Sequence, residues 1–269
     1  AIREGLSAYY NILTYDIKSE LCNCSSMFDV IEKSEITFVC LPTPMKKDGS
    51  CYLGIVEETV LKIDDYCVNN NIENKILVLK STIPPGTTKS ISEKCKNVTL
   101  VFSPEFLTEA NSFDDFKNQT RIIIGGPRPA SSKVKTMFRK AFPTTPIVKT
   151  DSTHAEAVKY FINCFLSLKV SFSNEMFQLC NSIGIDYDKI VEYSLYDNRL
   201  GKSHFSVPGP DGHLGFGGHC FPKDLAALIK VMGDNDIDCK MLLATQQKNN
   251  EVRDVRDWEL MSGRAVIDE

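Results

Sequence analysis

The chain has 269 residues, more than one typical domain and fewer than three, so two domains sharing a chain are expected. With 42% hydrophobic and 25% charged residues it has the composition of an ordinary soluble globular protein, and no apolar run nears the roughly 18 residues a membrane span needs. A net charge of −4 offers no basic field to nucleic acid, so neither nucleic acid nor membrane is expected as a partner.

Within an expected first domain over 1–150, residues 8–150 alternate short β-branched runs with helical patterns, as a parallel sheet covered by helices does. Ala1–Ser7 reads as the end of a helix, so an opening strand and glycine loop are expected before it. Strands are predicted at Asn11–Tyr15, Ile36–Leu41, Lys75–Lys80, Thr99–Phe102, Arg121–Ile124 and Ile147–Lys149, with helices over 53–70, 87–95 and 130–141. That is an α/β, Rossmann-like doubly wound sheet. From Ser152 to about Ser182 neither Pro nor Gly occurs, and Val158, Phe161, Ile162, Phe165, Leu168, Phe172, Met176 and Leu179 recur at helical spacing. One long helix therefore opens an all-helical second domain over 151–256, with a short helix at Asp186–Ser194, a glycine-rich loop over 206–219, helices over 222–232 and 236–256, and a tail over 257–269.

Ten cysteines are scattered along the chain. Cys22 and Cys24 stand too close for a zinc ribbon, no second pair echoes them, and no signal peptide is visible. Reduced thiols in a cytoplasmic protein are expected, and no metal site.

The strongest local signal is the run Gly215-Phe216-Gly217-Gly218-His219-Cys220-Phe221-Pro222-Lys223-Asp224, a glycine loop delivering a cysteine into a helix that begins with proline. Cys220 can be read as a small buried filler or as a nucleophile. The helix N-terminus and the Lys223 cation would stabilise its thiolate, and four glycines within Gly212–Gly218 are costly unless backbone must approach a ligand closely. Asp224 lies one turn on, as Asn163 does from Lys159, so each pair occupies one helix face. Lys159 could equally be a solvated surface lysine; its apolar neighbours Phe161, Ile162 and Phe165 favour a cleft. Glu105 and Glu109 follow a predicted strand, where ligands of open sheets bind, although surface acids also occur there.

The run Gly209–Asp224 resembles the active-site signature of the UDP-glucose/GDP-mannose dehydrogenase family. Ser81-Thr82-Ile83-Pro84-Pro85-Gly86-Thr87, Ser103-Pro104-Glu105-Phe106-Leu107-Thr108-Glu109, Lys159-Tyr160-Phe161-Ile162-Asn163 and Asp197-Asn198-Arg199-Leu200-Gly201 resemble four further motifs of that family, in order. The resemblance implies an NAD-dependent nucleotide-sugar 6-dehydrogenase, UDP-glucose being favoured over GDP-mannose or UDP-N-acetylhexosamines by family frequency.

By the same resemblance Cys220 corresponds to a nucleophile that carries a thiohemiacetal and then a thioester. Lys159, Asn163 and Asp224 correspond to groups that handle a hydroxyl proton through water and stabilise an oxyanion, Thr82 to a holder of that water, and Glu105 to the base for thioester hydrolysis. Phe106, Leu107, Glu109, Arg199, Phe216 and Gly217 correspond to substrate-binding positions. Leu41, Pro42, Thr43, Thr82 and Lys223 correspond to positions near the dinucleotide. Asp16, ending the first complete predicted strand, reads as an acceptor for the adenosine ribose, which favours NAD over NADP, or as a turn aspartate. The family also implies a homodimer through the long helix, with Arg199 reaching the neighbouring subunit's substrate; pairing of Arg199 with Asp197 is the simpler alternative.

Two departures stand out: the interval from Asp16 to Ile36 is shorter than family members carry, and nothing here resembles their second nucleotide-binding domain. Two other functions compete. A two-electron β-hydroxyacid dehydrogenase would share the plan without needing Cys220, and a non-catalytic nucleotide-sugar sensor would need neither the nucleophile nor the proton-transfer groups.

Overall fold

The computed structural model describes residues 1–107 and 111–267. The chain divides into two compact units: Ala1–Thr43 with Leu53–Lys159, and Pro44–Tyr52 with Tyr160–Glu269. The division falls inside the long helix rather than at residue 150, and gives the segment Pro44–Tyr52 to the second unit.

In the first unit the order is α1 (Ile2–Leu6), α2 (Met27–Lys33), β1 (Ile36–Val39), α3 (Gly54–Asn69), β2 (Lys75–Leu79), α4 (Thr87–Ser92), β3 (Val98–Phe102), α5 (Ser112–Lys117), β4 (Ile122–Gly125), α6 (Ala130–Ala141), β5 (Ile147–Thr150) and the start of α7 (Ser152–Ile183). The five strands lie in chain order, β1-β2-β3-β4-β5, parallel except where β4 meets β3 antiparallel at Phe102 and Gly125. The expected parallel-dominated sheet is present, with that one reversed junction. β2 and β3 are apolar on both faces, as parallel strands covered twice must be. Leu77, Leu79, Leu100 and Phe102 pack with Val56, Val60 and Ile63 of α3, whereas Ile76, Val78 and Val101 pack with Val134 and Phe138 of α6. Burying each such side chain contributes roughly 1.5–3 kcal/mol.

Asn11–Tyr15 is not a strand. A strand needs a ladder partner, and here the backbone polar groups turn to local side chains instead: Thr14 N–H donates to Asn23 Oδ1 at 2.7 Å, and Asn23 Nδ2 donates to Ile12 O at 2.8 Å. Helix α2 was not signalled by a long apolar stripe; a capping box starts it, Ser26 Oγ accepting from Asp29 N–H and Asp29 accepting from Ser26 N–H.

The second unit continues α7 and adds α8 (Tyr187–Ser194), α9 (Phe221–Asp234) and α10 (Lys240–Val252). Helix α10 is shorter than the predicted 236–256. Asp236 takes φ 57°, its N–H bonds Gly233 O, and Ile237 N–H bonds Met232 O, the paired closure that ends a helix rather than starts one. At the other end Arg253 is already extended. The tail past Trp258 is anchored, since Met45 N–H donates to Ala265 O at 2.7 Å and Ile267 N–H to Met45 O at 3.1 Å.

Helix α7 carries the largest surprise. Beyond Tyr160 its buried positions are small or polar, Asn163, Cys164, Ser167, Ser171 and Asn174, while Phe161, Phe165, Phe172 and Leu179 are exposed. Of the apolar positions read from the sequence, these four face outward, whereas Val158 and Met176 pack against buried clusters.

Candidate active site

In the first unit the carboxyl ends of β1, β2 and β3 hold the groups of interest. The loop after β1 is stitched to the loop after β2: Leu41 N–H donates to Ser81 Oγ at 3.0 Å, Ser81 Oγ–H donates to Leu41 O at 2.6 Å, and Thr43 Oγ1–H donates to Thr82 O at 2.9 Å. Leu41, Pro42, Thr43 and Thr82 are thus brought together. Asp16 is exposed and accepts from Lys18 N–H at 2.9 Å in a tight turn, which leaves its carboxylate at the surface.

After β3, two lysines converge on one dipeptide. Lys159 Nζ donates to Glu105 O at 2.6 Å, and Lys80 Nζ lies 3.3 Å from Pro104 O and 3.7 Å from Glu105 Oε1. Phe106 lies between cations, with the Arg121 guanidinium 4.1 Å and the Lys159 ammonium 5.4 Å from its ring centre. Leu107 packs against the α6 face of the sheet. Glu109 lies outside the described residues.

Sequence reasoning missed Glu156, which is fully buried and accepts from Gly86 N–H at 2.6 Å and from Thr88 N–H at 2.8 Å. It ties the first turn of α7 to the loop that carries Thr82. The signal available was an acid on the inward face, three residues before Lys159.

In the second unit Cys220 caps the N-terminus of α9, with Pro222 in the first turn. Below it lies a buried polar set. Asp224, 1% exposed, accepts from Asn163 Nδ2 at 2.6 Å and pairs with Lys223 Nζ at 2.6 Å, and Cys164 Sγ–H points to Asp224 O at 3.7 Å. Burial disfavours the Lys223 ammonium, but the Asp224 carboxylate, and then the negative charge of the Cys51 and Cys220 thiolates where these form, outweigh it, so its pKa lies above the ordinary lysine value. Lys223 therefore stays charged within electrostatic reach of Cys220.

The glycine loop is gripped by side chains that the sequence reading passed over. Asn174 Oδ1 accepts from Gly215 N–H at 3.1 Å, Asn249 Oδ1 accepts from Phe216 N–H at 2.7 Å, and Asp257 Oδ2 accepts from Gly218 N–H at 3.0 Å. Arg253, its side chain 1% exposed, bonds Asp211 at 2.7 Å and Asp257 at 3.2 Å. A Cβ on Gly217 would stand 2.2 Å from Arg253 Nη2, and one on Gly215, itself at φ 68°, would stand 2.4 Å from Asn249 Oδ1. The close approach seen at Gly215 and Gly217 is to the protein's own clamp. Arg199 is exposed and forms a two-pronged pair with Asp197, 2.9 and 3.0 Å from Nε to the two oxygens.

Comparison with known proteins matches both parts of the chain. Residues 9–142 match the NAD binding domain, and residues 153–251 the central domain, of the UDP-glucose/GDP-mannose dehydrogenase family. The chain belongs to that family.

Among its relatives, a UDP-glucose 6-dehydrogenase of Rickettsia bellii is 36% identical over 82% of this chain and 50% of its own length. UDP-glucose 6-dehydrogenase TuaD of Bacillus subtilis is 31% identical over 83% and 48%. A solved UDP-glucose dehydrogenase from Pyrobaculum islandicum superposes with a TM-score of 0.74 at 29% identity, over 85% of this chain and 53% of that one. The chain spans about half the length of the curated relatives it matches. Family membership accounts for the order of the five motifs; the clamp of Asn174, Asn249 and Arg253 lies outside all of them. No helix among the described residues is long and apolar enough to cross a membrane.

Proposed function

We propose that this chain carries the cofactor-binding and central portions of an NAD-dependent nucleotide-sugar 6-dehydrogenase that oxidises the C6 alcohol of UDP-glucose to the uronic acid. The observation that carries the reading is the buried Asn163–Asp224–Lys223 set beneath Cys220. A filler cysteine has no use for a buried cation at the same helix start, whereas a thiolate nucleophile does.

The residues present fit NAD in part. The joined loops at the ends of β1 and β2 offer Leu41, Pro42, Thr43 and Thr82 along a dinucleotide, and the surface carboxylate of Asp16 suits a ribose diol. When bound, NAD accepts a hydride from C6 in each of two oxidations. In the first, by the family resemblance, the hydroxyl proton would pass through a water held by Thr82 to the carboxylate of Asp224, with Lys159 and Asn163 stabilising the alkoxide. The Cys220 thiolate would then add to the aldehyde carbon, and by the family resemblance Lys159 and Asn163 would stabilise the thiohemiacetal oxyanion. Loss of the second hydride turns that carbon into a thioester. Hydrolysis follows: water oxygen bonds to the carbonyl carbon, the C–S bond breaks, sulfur leaves as thiolate, and Glu105 receives the water proton.

Phe106, Leu107, Glu109, Phe216 and Gly217 would contact the nucleotide sugar, and Lys223 would act on the nicotinamide end through its charge. The layout proposed is a cofactor domain over 1–150 and a helical domain over 151–256, in a cytoplasmic homodimer. Phe161, Phe165, Phe172, Leu179 and Ile183 support the dimer: all are exposed along one helix at near-heptad spacing, an apolar seam suited to a second copy.

Offering the protein UDP-glucose, GDP-mannose and a UDP-N-acetylhexosamine with NAD, and counting NADH per acid formed, tests the reading. Two NADH per acid from UDP-glucose is expected; one NADH with accumulating aldehyde would refute the thioester route.

A further inference from the structure

We propose that Lys80 is the positioning residue for Glu105, holding the Pro104–Glu105 peptide and the Glu105 carboxylate for the hydrolytic step of the reaction proposed above. The inference rests on that reading and adds a residue outside the set assigned to it.

Lys80 follows β2 directly, and its side chain is 6% exposed. The residues before it in β2, Val78 and Leu79, are fully buried and apolar, and an apolar side chain at position 80 would pack there without the cost of burying a charge. Burial lowers the Lys80 pKa, and Glu105 opposes that shift. The titratable groups facing its ammonium are Cys40 after β1, Glu105 after β3 and Lys159 on α7. Only one of these is a carboxylate. Lys80 Nζ sits 3.3 Å from Pro104 O and 3.7 Å from Glu105 Oε1, and that oxygen is buried with no hydrogen-bond donor in reach among the described residues. Lys159 holds the Glu105 carbonyl from the other side at 2.6 Å. The two lysines thus divide the work on one residue: Lys159 bonds its peptide, and Lys80 is the cation nearest its side chain. A carboxylate held in place by a neighbouring cation has lone pairs with which to accept a proton.

Without the Lys80 cation, oxidation to the thioester can proceed while its hydrolysis fails. Lys80→Met in the full chain, mixed with NAD and UDP-glucose, is therefore expected to give a burst of two NADH per subunit, then turnover about 10²-fold below wild type. Intact mass after acid quench should show a uronyl adduct on Cys220 that the wild type does not accumulate. Lys80→Met should also melt below the wild-type temperature, because the buried Glu105 oxygen loses its cation. If Lys80→Met fails to fold, Lys80→Gln, which keeps a donor for Pro104 O but no charge, is read in its place. Wild-type-like turnover, or slow turnover with neither burst nor adduct, overturns the inference. A wild type silent toward all three nucleotide sugars overturns the underlying reading, and the inference with it.

Discussion

Asn163 Nδ2 and Lys223 Nζ each bind one oxygen of Asp224 at 2.6 Å, so a carboxylate that is 1% exposed is shared between a helix of the central unit and its own next-door lysine. Removing either partner strands a buried charge. Lys223→Met should cost about 3–5 kcal/mol of stability, measured by chemical denaturation; a loss below about 1 kcal/mol would mean that Asn163 alone satisfies Asp224.

The same pair sets an alkaline limit. Because the folded pKa of Lys223 is raised, its contribution is fully present below the unfolded lysine value of about 10.4 and is lost as pH rises through the folded one. The stability difference between wild type and Lys223→Met should stay constant from neutral pH to about 10 and shrink above that. A difference that already falls near pH 8 would contradict the raised pKa.

Cys220→Ala should abolish acid formation while leaving the fold and NAD affinity unchanged, since Cys220 is only partly buried and its side chain makes no capping hydrogen bond to α9. Calorimetric NAD binding and product analysis separate the two effects. Unimpaired acid formation would return Cys220 to a packing role.

Gly217→Ala and Gly212→Ala form a contrast. The Cβ at Gly217 meets Arg253 and Asp257, which grip the loop one residue on at Gly218, whereas Gly212, at φ 80°, has nothing within 4 Å. Gly217→Ala should cost about 1–3 kcal/mol and most of the turnover; Gly212→Ala should cost about 1–2 kcal/mol with turnover largely kept. Equal losses of turnover would show that the clamp does not position Cys220.

Arg199→Ala should change stability by less than about 1 kcal/mol, because its pair with Asp197 is exposed and screened. If Arg199 acts on the neighbouring subunit's substrate, the substitution weakens nucleotide-sugar binding, and mixing Arg199→Ala with Cys220→Ala subunits restores some activity. A verified heterodimer without activity would reject the shared site, and a monomer by light scattering would reject the dimer.

Much of this protein was legible in its sequence because local rules suffice there. The β-branched runs at Lys75–Leu79 and Val98–Phe102 are buried on both faces, so composition alone marks them as central parallel strands. Pro222 after a glycine loop marks the start of α9, and Lys159/Asn163 share a face by helix geometry alone. What needed tertiary structure was every feature decided by a distant partner. Asn11–Tyr15 has strand composition, but its backbone bonds went to Asn23. Asn174, Asn249 and Arg253 look like ordinary polar residues until the loop they grip is folded against them. Period gave α7 its length but not its orientation: the apolar spacing does not say which positions are covered, and the buried side includes Asn163, Ser167, Ser171 and Asn174. The reason is physical. Periodicity reports that two faces differ, and which one is buried depends on what packs against it, here Asp224 and the carbonyl of Thr245, which take hydrogen bonds that phenylalanine cannot give.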